Sequence, residues 1–527
     1  MERNFTKKYI KPGVKLFDNQ VYNVKKLTHR RRAILSDKCG GGKTVSVLFA
    51  FSYLKEMGHM QSLLVLTPLS AFEKEVWKKD IQKFTNFSCI TIDNLYKMVG
   101  ESESKLTRAL DSYDIVYGKH THIKATSKEG EKIRNLIWRI AIRQTTLFCV
   151  DEVHAFRNPK STLTLSLREI TRESRAFWGI TATTISRNIE NLYNIVNLIY
   201  PWYLGPWTMF RDTYCNTMQR SVGYDRVSKK KKQVIEATTI KDPVGLRNKL
   251  EPILINGESF FEVHYHFVDY ELSDYEQDIY TKITQGIAVD VDKDPDEWFK
   301  WLIKEGNNKS PRSIGDVEKY SSRFIYLQHA ADGIIATDGT YTRKDSVKML
   351  ELIKVLQSIV DKKQSALVYF DYLASVDIAK IMIEQYVKGA NILLSTGDDK
   401  LKEGTLTEAR CKFKPHIVLC TRAASESASY YFMNNVIFFH NPTVPSTFIQ
   451  MVGRITRKNS LYPDDLNCFI FRSNNVDLYK LLIVSGKTRL MEIASGNKEA
   501  NVPEDYKEVM EKSEAQAKYR RILLWQE

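Results

Sequence analysis

Residues 37–44 read Asp-Lys-Cys-Gly-Gly-Gly-Lys-Thr, after an apolar run that ends at Leu35 and before a helix-like stretch that begins near Lys43. In that setting glycines let backbone N–H groups wrap phosphates, and a helix start adds partial positive charge. Gly40, Gly41 and Gly42, flanked by Asp37 and Cys39, would form the cradle; Lys43 would reach the β- and γ-phosphates of ATP, and Thr44 would hold Mg2+ through its hydroxyl. The general phosphate-loop pattern starts with glycine where this chain has Asp37, so the segment alone is also readable as a glycine-rich turn. Further on, the apolar residues Leu147 to Val150 run into Asp151-Glu152-Val153-His154. A carboxylate at the end of a buried strand beside a phosphate loop can bind Mg2+, and its neighbour can orient and deprotonate the attacking water. Asp151 is assigned the first role and Glu152 the second.

Such groups need parallel strands that end at one edge, and the sequence supplies them twice. Short apolar runs alternate with helix-like segments, which is the pattern of parallel α/β sheets. The first series is 33–35, 63–66, 114–117, 147–150 and 176–178; the second is 366–370, 391–394, 417–419, 436–439 and 468–471. The organisation read from this is a first ATP-binding lobe over 1–205, insertions and an interlobe connection over 206–345, a second lobe over 346–480 and a helical extension over 481–527. The middle stretch breaks the rhythm with Trp202, Trp207 and the run Lys229 to Lys232.

Seventy-eight Lys and Arg against 63 Asp and Glu leave a formal charge of +15, which favours a polyanionic partner through phosphate attraction and counterion release. The excess is dense in residues 1–32, including Arg30, Arg31 and Arg32; a solvated basic terminus is the alternative reading of that stretch. The seven cysteines are scattered with no CxxC pair, as expected of reduced core thiols in an intracellular protein without a zinc site. The pairs His120/His122 and His264/His266 lack a matching cluster and are read as loop or strand residues. No apolar run is long enough for a membrane span, and the N-terminus has no signal core. The compartment expected is cytoplasm, with the nucleus as the other choice.

The motifs, taken in order, resemble superfamily 2 helicase-like ATPases, and most closely the Swi/Snf-type translocase branch in its minimal form. That branch reads Asp-Glu-Met-Gly-Leu-Gly-Lys-Thr at the phosphate loop, and this chain agrees at Asp37, Gly40, Gly42, Lys43 and Thr44. DEVHAFRNPKS at 151–161 and GITATTISRNIENLYNIVNLIYPWYLG at 179–205 resemble the following family segments, and ELSDYEQDIY at 271–280 resembles the entry to the second lobe. ALVYFDYL at 366–373, TRAASESAS at 421–429 and QMVGRITR at 450–457 resemble motifs IV, V and VI. The resemblance implies an α/β fold of two tandem RecA-like parallel-sheet lobes with helical insertions and a C-terminal helical extension.

It also implies ATP held between the lobes. Gln20 would read the adenine edge, and Gln450, Arg454 and Arg457 would approach from the second lobe, the arginines stabilising charge on the γ-phosphate. His154 with Thr181, Ala182 and Thr183 would couple ATP state to DNA grip. Thr67, Pro68, Ser395, Thr396, Thr421 and Arg422 are the candidates for DNA backbone contact, on the surface away from the ATP-binding strand edges. The expected activity is an ATP-dependent DNA translocase or helicase, working as a monomer on duplex or branched DNA in repair, recombination or replication-fork remodelling. RNA is kept as an alternative partner, and a nucleic-acid-binding scaffold with a vestigial ATPase as the alternative function. That alternative is motivated by Ala424, Ser425, Glu426 and Ser427, which stand where motif V usually has glycines.

Overall fold

The computed structural model describes residues 8–37, 40–181, 189–225, 230–256, 263–284, 327–333, 346–396, 406–422, 430–442, 444–456, 460–462, 464–473, 475–478 and 480–481. The expected extension over 481–527 lies outside them, apart from Leu481. Two compact units divide between residues 259 and 260.

The first unit is built on a seven-stranded parallel sheet, β1 (Arg32–Leu35), β2 (Ser62–Thr67), β3 (Cys89–Thr91), β4 (Ile115–Lys119), β5 (Thr146–Val150), β6 (Ala176–Ile180) and, after a hairpin described below, Leu254–Ile255. The spatial order is β3-β4-β2-β5-β6-β1, with Leu254–Ile255 beyond β1. Every residue of β2, β5 and β6 is buried, as strands covered on both faces require, so these segments read as continuous apolar runs. Each fully buried Leu, Val or Phe there contributes roughly 1.5–3 kcal/mol relative to exposure. Helix Lys43–Glu56 follows β1, buries Val47, Leu48, Ala50 and Phe51, and packs against helix Asp18–Thr28.

Because Leu254–Ile255 pairs in parallel with Ile34 and Leu35, the sheet continues past the boundary expected at 205. The intervening stretch is not only helical. It carries an antiparallel hairpin, β7 (Cys215–Asp225) and β8 (Lys230–Ile240), that forms its own two-stranded sheet, with Lys230 to Lys232 opening β8. Leu254–Ile255 is β9.

The second unit holds a six-stranded parallel sheet: β10 (His264–Asp269), β11 (Ala366–Tyr369), β12 (Asn391–Ser395), β13 (His416–Cys420), β14 (Asn435–Phe438) and β15 (Asn467–Arg472). Its order is β10-β15-β14-β11-β13-β12. Apolar side chains pack on both faces of this sheet, with Val368, Leu419 and Ile437 on one and Leu367, Val418 and Phe438 on the other.

Part of the N-terminal charge is structural. Arg32 at the start of β1 donates to the carbonyls of Ile199 (2.6 Å) and Thr171 (2.6 Å), satisfying orphan acceptors near the C-terminal ends of two helices. Arg30 donates to the carbonyl of Glu251 at 2.8 Å. Burial lowers the affinity of both guanidinium groups for their protons, so these two arginines are fold elements before they are surface charge. Of the described cysteines, Cys89 is half-buried and the other five are buried, all as free thiols.

Candidate nucleotide site and its connections

The phosphate loop is braced from behind by helix Asp18–Thr28. Asn19 and Asn23 lie one turn apart and both donate to Asp37 Oδ2, at 3.0 and 2.9 Å, and Asn19 Nδ2 also reaches the Gly41 carbonyl at 3.1 Å. Asp37 is therefore a buried anchor of the loop, its carboxylate turned inward. This explains the departure from glycine: a side chain is needed there to tie the loop to the helix. Lys43 Nζ donates to the Asp37 carbonyl at 2.9 Å.

Gly42 caps helix Lys43–Glu56 in the left-handed region, at φ 75°, where other residues are strained. A Cβ at Gly42 would also overlap the Gln20 amide, and one at Gly41 would meet the Asp37 carboxylate at 2.6–2.8 Å. Close packing thus requires glycine at these two positions, and a backbone without side chains is what a close approach to phosphates needs. Gln20 accepts from the Phe17 N–H at 3.0 Å and donates to the Gly42 carbonyl at 3.5 Å, so its amide is part of the same brace. Cys39 lies outside the described residues.

Asp151 leaves the end of β5. Its Oδ2 accepts from Trp77 Nε1 (3.1 Å) and Thr67 Oγ1 (3.3 Å), and its Oδ1 from the Glu152 N–H (3.0 Å). Burial, and then the neighbouring Glu152 carboxylate, push Asp151 up to about 6, against the pull of Trp77 and the charge of Lys43. A buried carboxylate whose charge is opposed by burial and by a neighbouring carboxylate forms a site that a hard divalent cation would relieve, and oxygen donors are what Mg2+ takes. The donor set fits: Asp151 and the Thr44 hydroxyl, in the first turn of helix Lys43–Glu56, would hold the ion, which would supply charge neutralisation on the phosphates.

Glu152 itself sits at φ 48°, ψ 49°, a left-handed conformation that costs a non-glycine residue energy and is common where a side chain must be aimed. Its Oε2 lies 3.0 Å from His154 Nδ1, which is 2.9 Å from Thr181 Oγ1. Thr181 follows β6, the parallel neighbour of β5. Of the expected coupling residues, His154 and Thr181 touch, while Ala182 and Thr183 lie outside the described residues.

Two members of this site had no sequence signal. Trp77 belongs to a separate helix, Val76–Phe84, and nothing in its spacing points to Asp151. His120, taken for a loop or strand residue, is buried in a 3-10 turn with Nε2 2.7 Å from the Asp151 carbonyl, and desolvation there brings it down to about 4. Asn19 and Asn23 could have been found, since their spacing places both on one helix face next to Gln20.

The DNA candidates fare unevenly. β2 and β5 are parallel neighbours, so Thr67 leaves the sheet at the same edge as Asp151; its side chain is fully buried and its hydroxyl is spent on that carboxylate. The structure thus ties Thr67 to Asp151 instead of to a surface away from it. Pro68 is half-buried and caps the short helix Leu69–Glu73. In the second unit Ser395, Thr396 and Thr421 are mostly buried at the ends of β12 and β13, where the Thr421 N–H donates to the Ser395 carbonyl at 3.3 Å, and Arg422 is exposed. Gln450 and Arg454 lie one turn apart on helix Pro445–Ile455, Gln450 half-buried and Arg454 buried. Arg457 is outside the described residues, as is the altered motif V stretch 423–429.

Two family models match the chain: the SNF2-related domain over residues 19–329 and the helicase conserved C-terminal domain over 348–459. Among curated proteins, an uncharacterized ATP-dependent helicase, YqhH, of Bacillus subtilis is 23% identical over 438 residues, covering 81% of this chain and 70% of its own length. The ISWI chromatin-remodeling complex ATPase ISW2 of Saccharomyces cerevisiae is 21% identical over 478 residues, 85% of this chain but 38% of its own length. A solved SWI2/SNF2 ATPase core from Sulfolobus solfataricus, in complex with dsDNA, aligns over 97% of both chains at 16% identity with a TM-score of 0.37. No described helix is long and apolar enough to cross a membrane. With the SNF2-related model spanning more than half of its length, this chain belongs to the SNF2-related family of superfamily 2 helicase-like ATPases and is an ATP hydrolase.

Proposed function

We propose that the chain couples ATP hydrolysis to movement along duplex or branched DNA, as a translocase or helicase in repair, recombination or replication-fork remodelling. The observation that carries this is the approach of Glu152, the neighbour of Asp151, to His154 and of His154 to Thr181, because it links the hydrolytic carboxylate to the neighbouring strand end. A device that only bound ATP would need no such link. On this reading Mg2+ sits on Thr44 and Asp151, Gln20 lies against the adenine, and Gln450, Arg454 and Arg457 act on the phosphates. Pro68, Ser395, Thr396, Thr421 and Arg422 contact the DNA backbone, and the protein acts as a monomer inside the cell. Steady-state ATPase without polymer, then with single-stranded, duplex, forked DNA and RNA, tests it. Large stimulation by DNA is expected. Turnover that no polymer changes would remove the motor reading, and the absence of any turnover would favour a scaffold with a vestigial site.

The opening of β8 gives a separate prediction. Charge removal across Lys229 to Lys232 is expected to weaken binding to all DNA sequences alike, because phosphate contacts carry no base information. It should also flatten the plot of log affinity against log salt by roughly 0.9 per lost contact on B-form duplex. Titrations at several salt concentrations on shuffled duplexes read both effects. An unchanged slope would mean that the hairpin lysines face only solvent.

A further inference from the structure

Far from the phosphate loop in sequence, the second unit contains a charged network, fully buried at Asp332, Lys348, His440 and Asp477, that the nucleotide chemistry does not use. It caps the ends of four adjacent strands: Tyr270 follows β10, Asp477 follows β15, His440 follows β14 and Asp371 follows β11. At its centre is Asp332. Its Oδ1 accepts from Lys348 Nζ (2.9 Å) and Gln328 Nε2 (3.2 Å), and its Oδ2 lies 2.7 Å from His440 Nε2 and accepts from Ser375 Oγ (2.8 Å). Lys348 also pairs with Asp477 Oδ2 at 2.6 Å. A buried carboxylate with this many donors is held in one place, since each broken contact would strand a polar group away from water.

His440 lies in the stretch that joins β14 to helix Pro445–Ile455, which carries Gln450 and Arg454. Its Nδ1 accepts from the Asp371 N–H at 2.8 Å, which fixes the proton on Nε2 and makes the ring a donor to Asp332. The next residue, Asn441, is equally buried and donates to the carbonyls of Phe471 (2.9 Å) and Asp477 (3.2 Å). Two consecutive pinned side chains therefore fix the chain just before helix Pro445–Ile455. The body of that helix is held by other contacts: Phe448 stacks on Phe438 at 4.5 Å, and Met451 and Ile455 are buried. The apolar face keeps the helix attached, and the polar lead-in is anchored separately.

We infer that Asp332 and His440 are positioning residues that set the placement of helix Pro445–Ile455, and through it Gln450 and Arg454, for ATP hydrolysis. This rests on the reading of Arg454 given under Proposed function. Asp332→Ala would leave Lys348 with one buried partner fewer and threatens the fold itself, so His440 carries the test. Gln at 440 can present an amide N–H near the Nε2 position and keep the bond to Asp332, whereas Asn can present an oxygen near Nδ1 and keep only the bond from Asp371. Each deletes one side of the ring's connections, so the two should cost similar stability.

The experiment measures kcat, KM for ATP and melting temperature on the full chain with duplex DNA present, for wild type, H440Q, H440N and R454A. Because small misplacements of reacting groups cost rate steeply, kcat of H440N is expected to fall about tenfold or more at nearly unchanged KM. H440Q should retain most of the wild-type kcat at a melting temperature close to that of H440N. Equal losses in the two variants, activity that simply follows melting temperature, or no loss in H440N would each overturn the inference while R454A stays inactive. Wild-type turnover by R454A would instead remove the underlying reading, and the inference with it.

Discussion

Replacement of Glu152 by Gln is expected to lower kcat by about 10²–10⁴-fold, the range for loss of a general base, while ATP still binds with near wild-type affinity. The phosphate brace explains the second half of that expectation. Asp37, Asn19, Asn23, Gly41 and Lys43 hold the loop through contacts that do not involve Glu152. The first half follows from geometry: the strained φ of 48° aims the Glu152 carboxylate beside Asp151 and against His154 Nδ1. Gln keeps the shape and removes the negative charge needed to draw a proton from water. It also removes a like charge from beside Asp151, which Glu152 helps push up to about 6. The melting temperature should accordingly hold or rise slightly, separating lost chemistry from lost fold. Nucleotide titration, single-turnover hydrolysis and a thermal melt on the same preparation check all three, and hydrolysis at the wild-type rate would place the base elsewhere.

What was legible in the sequence follows from how strongly burial constrains residue type. β1, β2, β4, β5 and β6, and β11, β13, β14 and β15, were visible because strands covered by neighbours and packed on both faces are mostly apolar, and the edge strand β12 was visible through its run Ile392-Leu393-Leu394. β10 was hidden by its composition. As an edge strand it alternates exposed and half-buried residues, and His264 and His266 face solvent on it. β3 and β9 are three and two residues long, too short to carry a period. The hairpin was missed because a ribbon outside both sheets has no two-sided burial to impose a pattern, and its lysines read as a loop.

The site divides in the same way. Lys43, Thr44, Asp151 and Glu152 were legible because each lies at a junction where apolar sequence stops and chemistry begins. The groups that hold them were not. Trp77 and His120 reach Asp151 from separate elements, and only the sheet order, with β5 beside β2 and β2 beside β4, brings them there. Asp332 and His440, 108 residues apart, meet only because β14 ends beside the segment 327–333. Thr67 shows the reverse error. A hydroxyl after a strand suits either a phosphate contact or a carboxylate partner, and strand adjacency selected the carboxylate.

Lys43→Ala is expected to lower kcat/KM for ATP by about 10²–10³-fold, the cost of removing one preorganised charge-stabilising group. Unlike the Glu152 change, much of the loss should appear as weaker nucleotide binding, because Lys43 meets the phosphates in the ground state as well as in the transition state. The fold should survive, since Ala is a strong helix former and Lys43 stands at the first position of helix Lys43–Glu56. Lys43 also acts on Asp151, whose carboxylate feels its charge across the width of β6, the strand between β5 and β1. The two residues should therefore behave as one unit around the phosphate and Mg2+, and a double-mutant cycle can read this. With Asp151→Asn as the second change, the double variant should lose little more than the worse single variant, as groups serving one transition state do. Losses that multiply would mean that Lys43 and Asp151 act at separate places, and the assignment of phosphate and metal to a shared site would have to be given up.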